Sequence, residues 1–164
     1  MTQSNEFSAS WDGLVKGVTV SVCALIVTLT IIFVLVLNSP FLRLSFTVLF
    51  GSVLILPYLW APRGYAVERD VAIIRRVIGD LEINVSEQPR QWKWTWWGLR
   101  LFGSGGMYGY FGFFIFKGLG RTRMYATNRH TLVLIKDNKG RKYLVSPKEP
   151  ERFIELLATR PDHL

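Results

Sequence analysis

The runs VTVSVCALIVTLTIIFVLVL, Val18 to Leu37, and LSFTVLFGSVLILPYLW, Leu44 to Trp60, decide the architecture of this 164-residue chain. The first is 20 residues without a charge and the second is 17, with only Asn38-Ser39-Pro40-Phe41-Leu42-Arg43 between them. A helix rises about 1.5 Å per residue, so a bilayer core of about 30 Å takes about 20 apolar residues. The first run meets that length. The second meets it with Tyr58, Trp60 and Ala61 at the interface, where aromatic rings concentrate. The expected organisation is a polar segment over residues 1–17, a transmembrane hairpin over 18–61 with helices near 18–37 and 44–60, and a soluble domain over 62–164.

The segment before the hairpin reads as loosely ordered, with Phe7 and Trp11 as interfacial anchors. The first run exceeds the 7–15 apolar residues of a signal core. It follows a polar segment without a basic cluster, and no small-x-small site precedes Asn38, so it reads as a retained helix. The single cysteine, Cys23, falls inside it. No disulfide within one chain is possible, and the thiol is expected to pack as a small apolar group.

Charge is lopsided. Lys16 and Arg43 balance Glu6 and Asp12, so the formal net charge of +8 belongs entirely to the chain beyond residue 61. A basic domain tethered at a bilayer is drawn to anionic headgroups. The tether therefore favours membrane lipids as partners over nucleic acid. Arg63, Arg69, Arg75 and Arg76 follow the second helix, whereas the hairpin turn has only Arg43. The positive-inside rule then puts both termini and the soluble domain in the cytoplasm.

Beyond Pro62-Arg63-Gly64 the pattern becomes strand-like. Strands are expected at Tyr65–Glu68, Val71–Val77 and Leu81–Val85, the last by strict alternation. Trp92, Trp94 and Trp96 share one face of an extended segment. Gly103-Ser104-Gly105-Gly106 reads as a flexible turn. Met107–Phe116 is apolar on both faces if extended, and Arg121–Ala126 is a further strand. Asp137-Asn138-Lys139-Gly140 joins Thr131–Ile135 to Lys142–Val145 as a hairpin. Ser146-Pro147-Lys148-Glu149 has capping-box spacing, which places an amphipathic helix near 147–159 with Phe153, Ile154, Leu156 and Leu157 inward.

These ordered features resemble the bacterial pleckstrin-homology-like (PH-like) domains. They are Tyr65-Ala66-Val67 with Ile73-Ile74-Arg75-Arg76, the glycine-aromatic stretch Leu101 to Gly112, Leu119-Gly120, Tyr125-Ala126-Thr127-Asn128 and Val133-Leu134-Ile135. Lys142 through Ile154 closes the match and is its most specific part. The resemblance covers about residues 64–158. It implies a membrane helical hairpin plus a mainly-β PH-like barrel of about seven antiparallel strands, capped by a C-terminal helix, at a bacterial inner membrane. It implies little about activity, because fold does not give function.

No catalytic constellation is legible. The only histidines are His130, in a turn beside Arg129, and His163 in the terminal tail. No Cys/His cluster has metal spacing, and the glycines at 103, 105, 106, 109 and 112 form neither a dinucleotide fingerprint nor a phosphate loop. The expectation is a non-enzyme with no catalytic, cofactor or metal residues.

The candidate contact residues lie in the aromatic stretch: Trp92, Trp94, Trp96, Trp97, Tyr108, Tyr110, Phe111, Phe113, Phe114 and Phe116. Two readings stand open, barrel core alone or core plus an interface with lipid, the hairpin or another subunit. A strand apolar on both faces needs cover on both sides. In the lipid version the four tryptophans lie at the bilayer surface, with Lys93 and Arg100 near phosphates. A basic patch for headgroups is drawn from Arg75, Arg76, Lys93, Arg100, Arg121, Arg123, Lys139, Arg141 and Lys142. The functional expectation is a membrane-anchored interaction or scaffold module that assembles with itself or another membrane protein. The alternative is a module that binds an anionic lipid or hydrophobic ligand.

Overall fold

The computed structural model describes residues 5–94 and 98–158. Strand β1 (Asn5–Ser8) precedes helix α1 (Gly13–Val36), and α2 (Pro40–Trp60) returns the chain to β2 (Gly64–Glu68). Helix α1 begins five residues ahead of the apolar run because Asp12 Oδ1 accepts the Val15 N–H at 2.8 Å, satisfying one of the orphan donors of the first turn. Helix α2 begins at Pro40, where a missing N–H costs nothing. At about 1.5 Å per residue the helices are about 36 and 32 Å long. Both are long and apolar enough to cross a membrane.

Their side chains suit an apolar solvent. Phe33 packs on Phe46 and Phe50, with ring centroids 4.6 and 5.5 Å apart. Thr30, Ser45 and Thr47 return their hydroxyls to the carbonyls of Ile26, Phe41 and Arg43 four residues back, so these three hydroxyls need no water. Helix α2 buries none of its residues and α1 only Val15, Thr19 and Ile26. A helix in a soluble core would be covered.

Strand β1 pairs antiparallel with β2, Phe7 opposite Tyr65. The segment expected to be loose is therefore part of the domain, and it leaves a sheet, runs the hairpin and returns to the next strand. The reason is Phe7, which is buried edge-on against Phe153 at 5.3 Å and is thus a core residue rather than an interfacial anchor. It also follows that residues 5–12 and the domain lie on one side of any membrane the hairpin crosses.

The first sheet has the order β1-β2-β3-β4, with β3 at Val71–Arg75 and β4 at Leu81–Asn84. The second comprises β5 (Arg90–Trp92), β6 (Gly98–Gly105), β7 (Tyr110–Phe116), β8 (Gly120–Ala126), β9 (Leu132–Lys136) and β10 (Lys142–Val145), in the order β5-β9-β10-β8-β7-β6. Helix α3 (Pro150–Ala158) closes the domain. A helical hairpin, a mainly-β body and a C-terminal helix are the expected PH-like architecture. The detail is richer than seven antiparallel strands. Ten strands are present among the described residues, both sheets are open, and β8 runs parallel to β10. The parallel pair arises because the β9–β10 hairpin folds back so that β10 lies between β9 and β8.

The glycines at 103–106 do not make the expected turn. Strand β6 runs on through Gly105, and the turn lies at residues 106–109. Gly103 faces Gly112 across the strand pair. A Cβ on Gly103 would lie 2.0 Å from the Phe111 carbonyl oxygen, and one on Gly112 would lie 2.1 Å from that of Phe102. Both have positive φ, +112° and +123°. The backbones approach too closely for any side chain, which is a sheet use of glycine rather than a turn use.

The capping-box reading also changes. Helix α3 starts at Pro150, and Ser146 turns inward, its hydroxyl accepting the Thr127 N–H at 2.7 Å and the Asn128 N–H at 3.1 Å. The Asp137–Gly140 hairpin forms as expected. The Asp137 carboxylate accepts the N–H groups of Lys139 and Arg141, and Gly140 takes a positive φ of 70°.

Two apolar clusters result. One joins Phe7, Tyr65, Ile74, Ile83, Ile135 and Phe153 between the sheets and α3. The other joins Val15 of α1 to Tyr110, Phe114, Phe116, Met124 and Leu144. The first turn of an apolar helix is thus built into the core of the β domain.

Candidate functional site at the junction of hairpin and domain

The junction is organised by Asp12, 7% exposed. Besides capping α1 it accepts the Arg129 backbone N–H at 3.2 Å, Arg129 Nε at 3.1 Å and the Tyr110 hydroxyl at 3.3 Å. Its own N–H donates to the Thr127 carbonyl at 3.1 Å. Burial alone would raise the carboxyl pKa. The N–H donors of Val15 and Arg129 and the guanidinium outweigh it and hold Asp12 below its ordinary 3.8. Burial, and then the Asp12 charge, push the Tyr110 phenol well up, so it stays a donor. Arg129 lies over the faces of Trp94 and Tyr110, 5.8 and 5.7 Å from the ring centroids. Beside this cluster Thr127 donates to the Ser10 carbonyl, and Tyr65, its hydroxyl pKa pushed up to about 12 chiefly by burial, donates to the Tyr125 carbonyl.

A second attachment lies at the β6–β7 turn. Tyr108 N–H donates to Thr19 Oγ1 at 2.9 Å, and the Thr19 hydroxyl donates to the Gly106 carbonyl at 3.4 Å. The Tyr108 hydroxyl is 3.5 Å from Cys23 Sγ, and its ring lies edge-on to Tyr58 of α2 and Trp11. Tyr108 has a positive φ of 57°, an unfavourable conformation for an aromatic residue, held by these contacts. Thr19 and Cys23 belong to the apolar run, so the turn is docked alongside the hydrophobic part of α1.

The aromatic stretch divides by register. Tyr110, Phe114 and Phe116 face the second cluster, and Phe111 is buried as well. Trp92 and Trp94 are half-buried against that cluster, so these two tryptophans are partly core. Trp96 and Trp97 lie outside the described residues. Phe113 points the other way and is exposed, and so are residues that sequence reasoning left out of the candidate set: Leu99, 65% exposed, Leu101, and Phe102 at 75%. Their signal was present, since Leu99-Arg100-Leu101-Phe102 reads as an apolar strand once the glycines are placed in the sheet.

The basic residues do not form one patch. Arg75 pairs with Asp80 and Glu6. Arg76 donates to the Gly79 carbonyl and lies over Tyr125. Arg141 pairs with Asp137, and Lys142 Nζ reaches the Leu119 carbonyl. Lys139 is exposed in its hairpin, and Arg100 lies beside Gly105. Arg121 and Arg123 stand together on β8, opposite Ile115 and Phe113 of β7, with Arg123 5.3 Å over the Phe113 ring. Lys93 lines a separate cleft of about 700 Å³ with Trp92, Trp94, Arg129, His130 and Thr131. Trp92 Nε1, Trp94 Nε1 and Thr131 Oγ1 are buried without hydrogen-bond partners there. Among the described residues no three His, Cys, Asp or Glu side chains converge as a metal site.

Residues 63–160 match the family model of the bacterial PH domain. No curated protein matches the chain. No solved structure matches it either.

Proposed function

Since the chain belongs to the bacterial PH domain family, we propose that it is a membrane-anchored, non-catalytic interaction module that assembles with itself or with another membrane protein. The observation that carries this reading is the open edge of β6. Among the described residues it is the terminal strand of its sheet, eight residues long, and rich in exposed apolar side chains. An unpaired apolar edge is a template on which another strand can add. The docking of the adjoining turn on α1 holds that edge close to the hairpin, where a partner that is itself in the membrane can reach it. The Asp12–Arg129 junction supports a fixed pose, because helix start and domain core share one buried carboxylate. In this reading the hairpin crosses the bacterial inner membrane, with both termini and the domain in the cytoplasm.

In-cell crosslinking of the tagged full-length protein, followed by mass spectrometry of the adducts, tests it. A ladder containing only this chain, or one reproducible second membrane protein, supports the reading. Adducts scattered over abundant proteins in proportion to their amounts refute it.

The cleft beside Arg129 favours a second reading, binding of an anionic or amphiphilic ligand. Buried indole donors without partners leave a debt that acceptor atoms could meet. Flotation of the full-length protein's vesicles cannot separate the readings, but a shift of tryptophan fluorescence on titrating a short-chain anionic lipid into nanodiscs can. Saturation specific to the anionic lipid supports this second reading.

A further inference from the structure

We propose that the β3–β4 turn, residues 76–80, is a membrane-surface anchor whose Val77 and Ile78 side chains lie in the interfacial layer of the bilayer beside the end of α2. The inference rests on the reading of the hairpin as membrane-spanning and goes beyond it by assigning a lipid contact to the β domain.

The turn is tied to the helix. Strand β3 ends at Arg75, and the Ile78 N–H donates to the Leu59 carbonyl at 3.2 Å. The last carbonyls of a helix lack partners within it, so the turn satisfies one that the end of α2 leaves open. The Arg63 N–H donates to the Arg75 carbonyl at 2.9 Å, which fastens the start of the turn to the chain leaving α2.

The height of the turn follows from the apolar runs. Leu59 is one residue inside the end of the second run, and Thr19, which accepts the Tyr108 N–H, is one residue inside the start of the first. Tyr58 and Tyr108 meet edge-on with ring centroids 5.4 Å apart, so the two attachments stand at one height. That height is where a spanning helix passes from hydrocarbon to headgroups, and Tyr58 and Trp60 are of the ring types that concentrate there. One turn from each sheet therefore meets the hairpin at its membrane boundary. The Tyr110 hydroxyl is bonded to Asp12, ahead of the first run, so β7 leads away from the bilayer and the lipid contact is confined to the turns.

The chemistry of the turn fits this height. A turn in water is normally polar, yet Val77 and Ile78 are adjacent and 42% and 46% exposed. Beside the last turn of α2, an uncovered side chain meets lipid rather than bulk water. Cations flank the pair. Arg63 is exposed and lies over the Tyr58 ring, 4.6 Å from its centroid, and Arg76 donates through Nε to the Gly79 carbonyl at 3.1 Å. Both stand at the level of anionic phosphates. Arg75 is engaged by Asp80 and Glu6 and contributes less.

Site-directed spin labels on the full-length protein test this. In a Cys23→Ser background, single cysteines are introduced as Val77→Cys, Ile78→Cys, Val27→Cys within α1 and Lys139→Cys at the tip of the β9–β10 hairpin, all at exposed positions. The labelled proteins are placed in nanodiscs of phosphatidylethanolamine and phosphatidylglycerol. The expected result at 77 and 78 is loss of collision with a water-soluble nickel chelate and gain of collision with oxygen relative to 139, both short of the values at 27. Nickel collision at 77 and 78 equal to that at 139 overturns the proposal in favour of a solvated turn. Shielding from both reagents overturns it in favour of a protein covering. If 27 also collides with nickel as 139 does, the hairpin reading fails with the proposal; if 27 is dry and 77 and 78 are not, only the proposal fails.

Discussion

Asp12 and Arg129, 117 residues apart, are joined by a 3.1 Å bond from Arg129 Nε to Asp12 Oδ2, while Asp12 Oδ1 caps helix α1 through the Val15 N–H at 2.8 Å. One carboxylate therefore starts the helical hairpin and seals it to the β domain.

Replacing Asp12 with alanine removes the cap and leaves the Arg129 guanidinium, largely buried, without its counter-charge. Breaking a buried pair from one side costs about 3–5 kcal/mol. Asp12→Asn keeps an acceptor for Val15 and is expected to cost less. Thermal unfolding of the two full-length variants in nanodiscs, ranked D12A below D12N below the parent, checks this.

Acid sensitivity follows from the two buried carboxyls. Asp12 and Asp137 are both held below the ordinary 3.8 in the folded chain, in each case by N–H donors and an arginine that outweigh burial. The unfolded chain then binds more protons than the folded one in the interval between the two pKa values, so stability rises with pH there. The stabilisation is complete above 3.8 and is lost as pH falls through the folded values. The melting temperature is expected to be level above that point and to drop below it, and D12N is expected to show a smaller drop.

Thr19→Val deletes the acceptor of the Tyr108 N–H at nearly constant volume. An unsatisfied buried N–H costs about 1–3 kcal/mol, confined here to the turn. Hydrogen exchange at Tyr108 and Gly109 is expected to quicken about tenfold to a hundredfold, at about 1.4 kcal/mol for each tenfold. Exchange in β2 and β3 is expected to stay unchanged.

Gly112→Ala forces a Cβ to within 2.1 Å of the Phe102 carbonyl oxygen at a φ of +123°. The strand pair must part, at a cost of about 3 kcal/mol or more. Gly118→Ala has a positive φ of 83° but meets nothing within 4 Å, so it pays only the backbone strain, about 1 kcal/mol. Melting temperatures of the two variants give the contrast.

The hairpin was legible because length and the absence of charge are local properties of two runs. The β9–β10 hairpin was legible because Asp137 and Gly140 satisfy a turn within four residues. Strand β1 was not, because it has four residues and its partner lies beyond the whole hairpin; only the burial of Phe7 against Phe153 reveals it. The Gly103–Gly112 stretch misled because a turn and a close strand crossing both exclude Cβ atoms. Ser146 misled because capping-box spacing is blind to the Thr127 and Asn128 N–H groups that the fold brings to it. The basic residues scatter because successive residues of a strand face opposite ways, as Arg75 and Arg76 do, and because the chain distances between the others do not tell which strands lie side by side. The exposed Leu99 and Phe102 are not legible for the same reason as β6 itself: with Gly103-Ser104-Gly105-Gly106 read as a turn, no strand is expected over 98–105.

The most direct test of the account is a photoreactive residue placed at Leu101 on the open strand β6 of the full-length protein in cells, with the same residue at Glu82 on β4 as control. The account expects a discrete adduct from position 101, containing either a second copy of this chain or one membrane protein, and none from 82. No protein adduct from 101, or the same adducts from both positions, would contradict it.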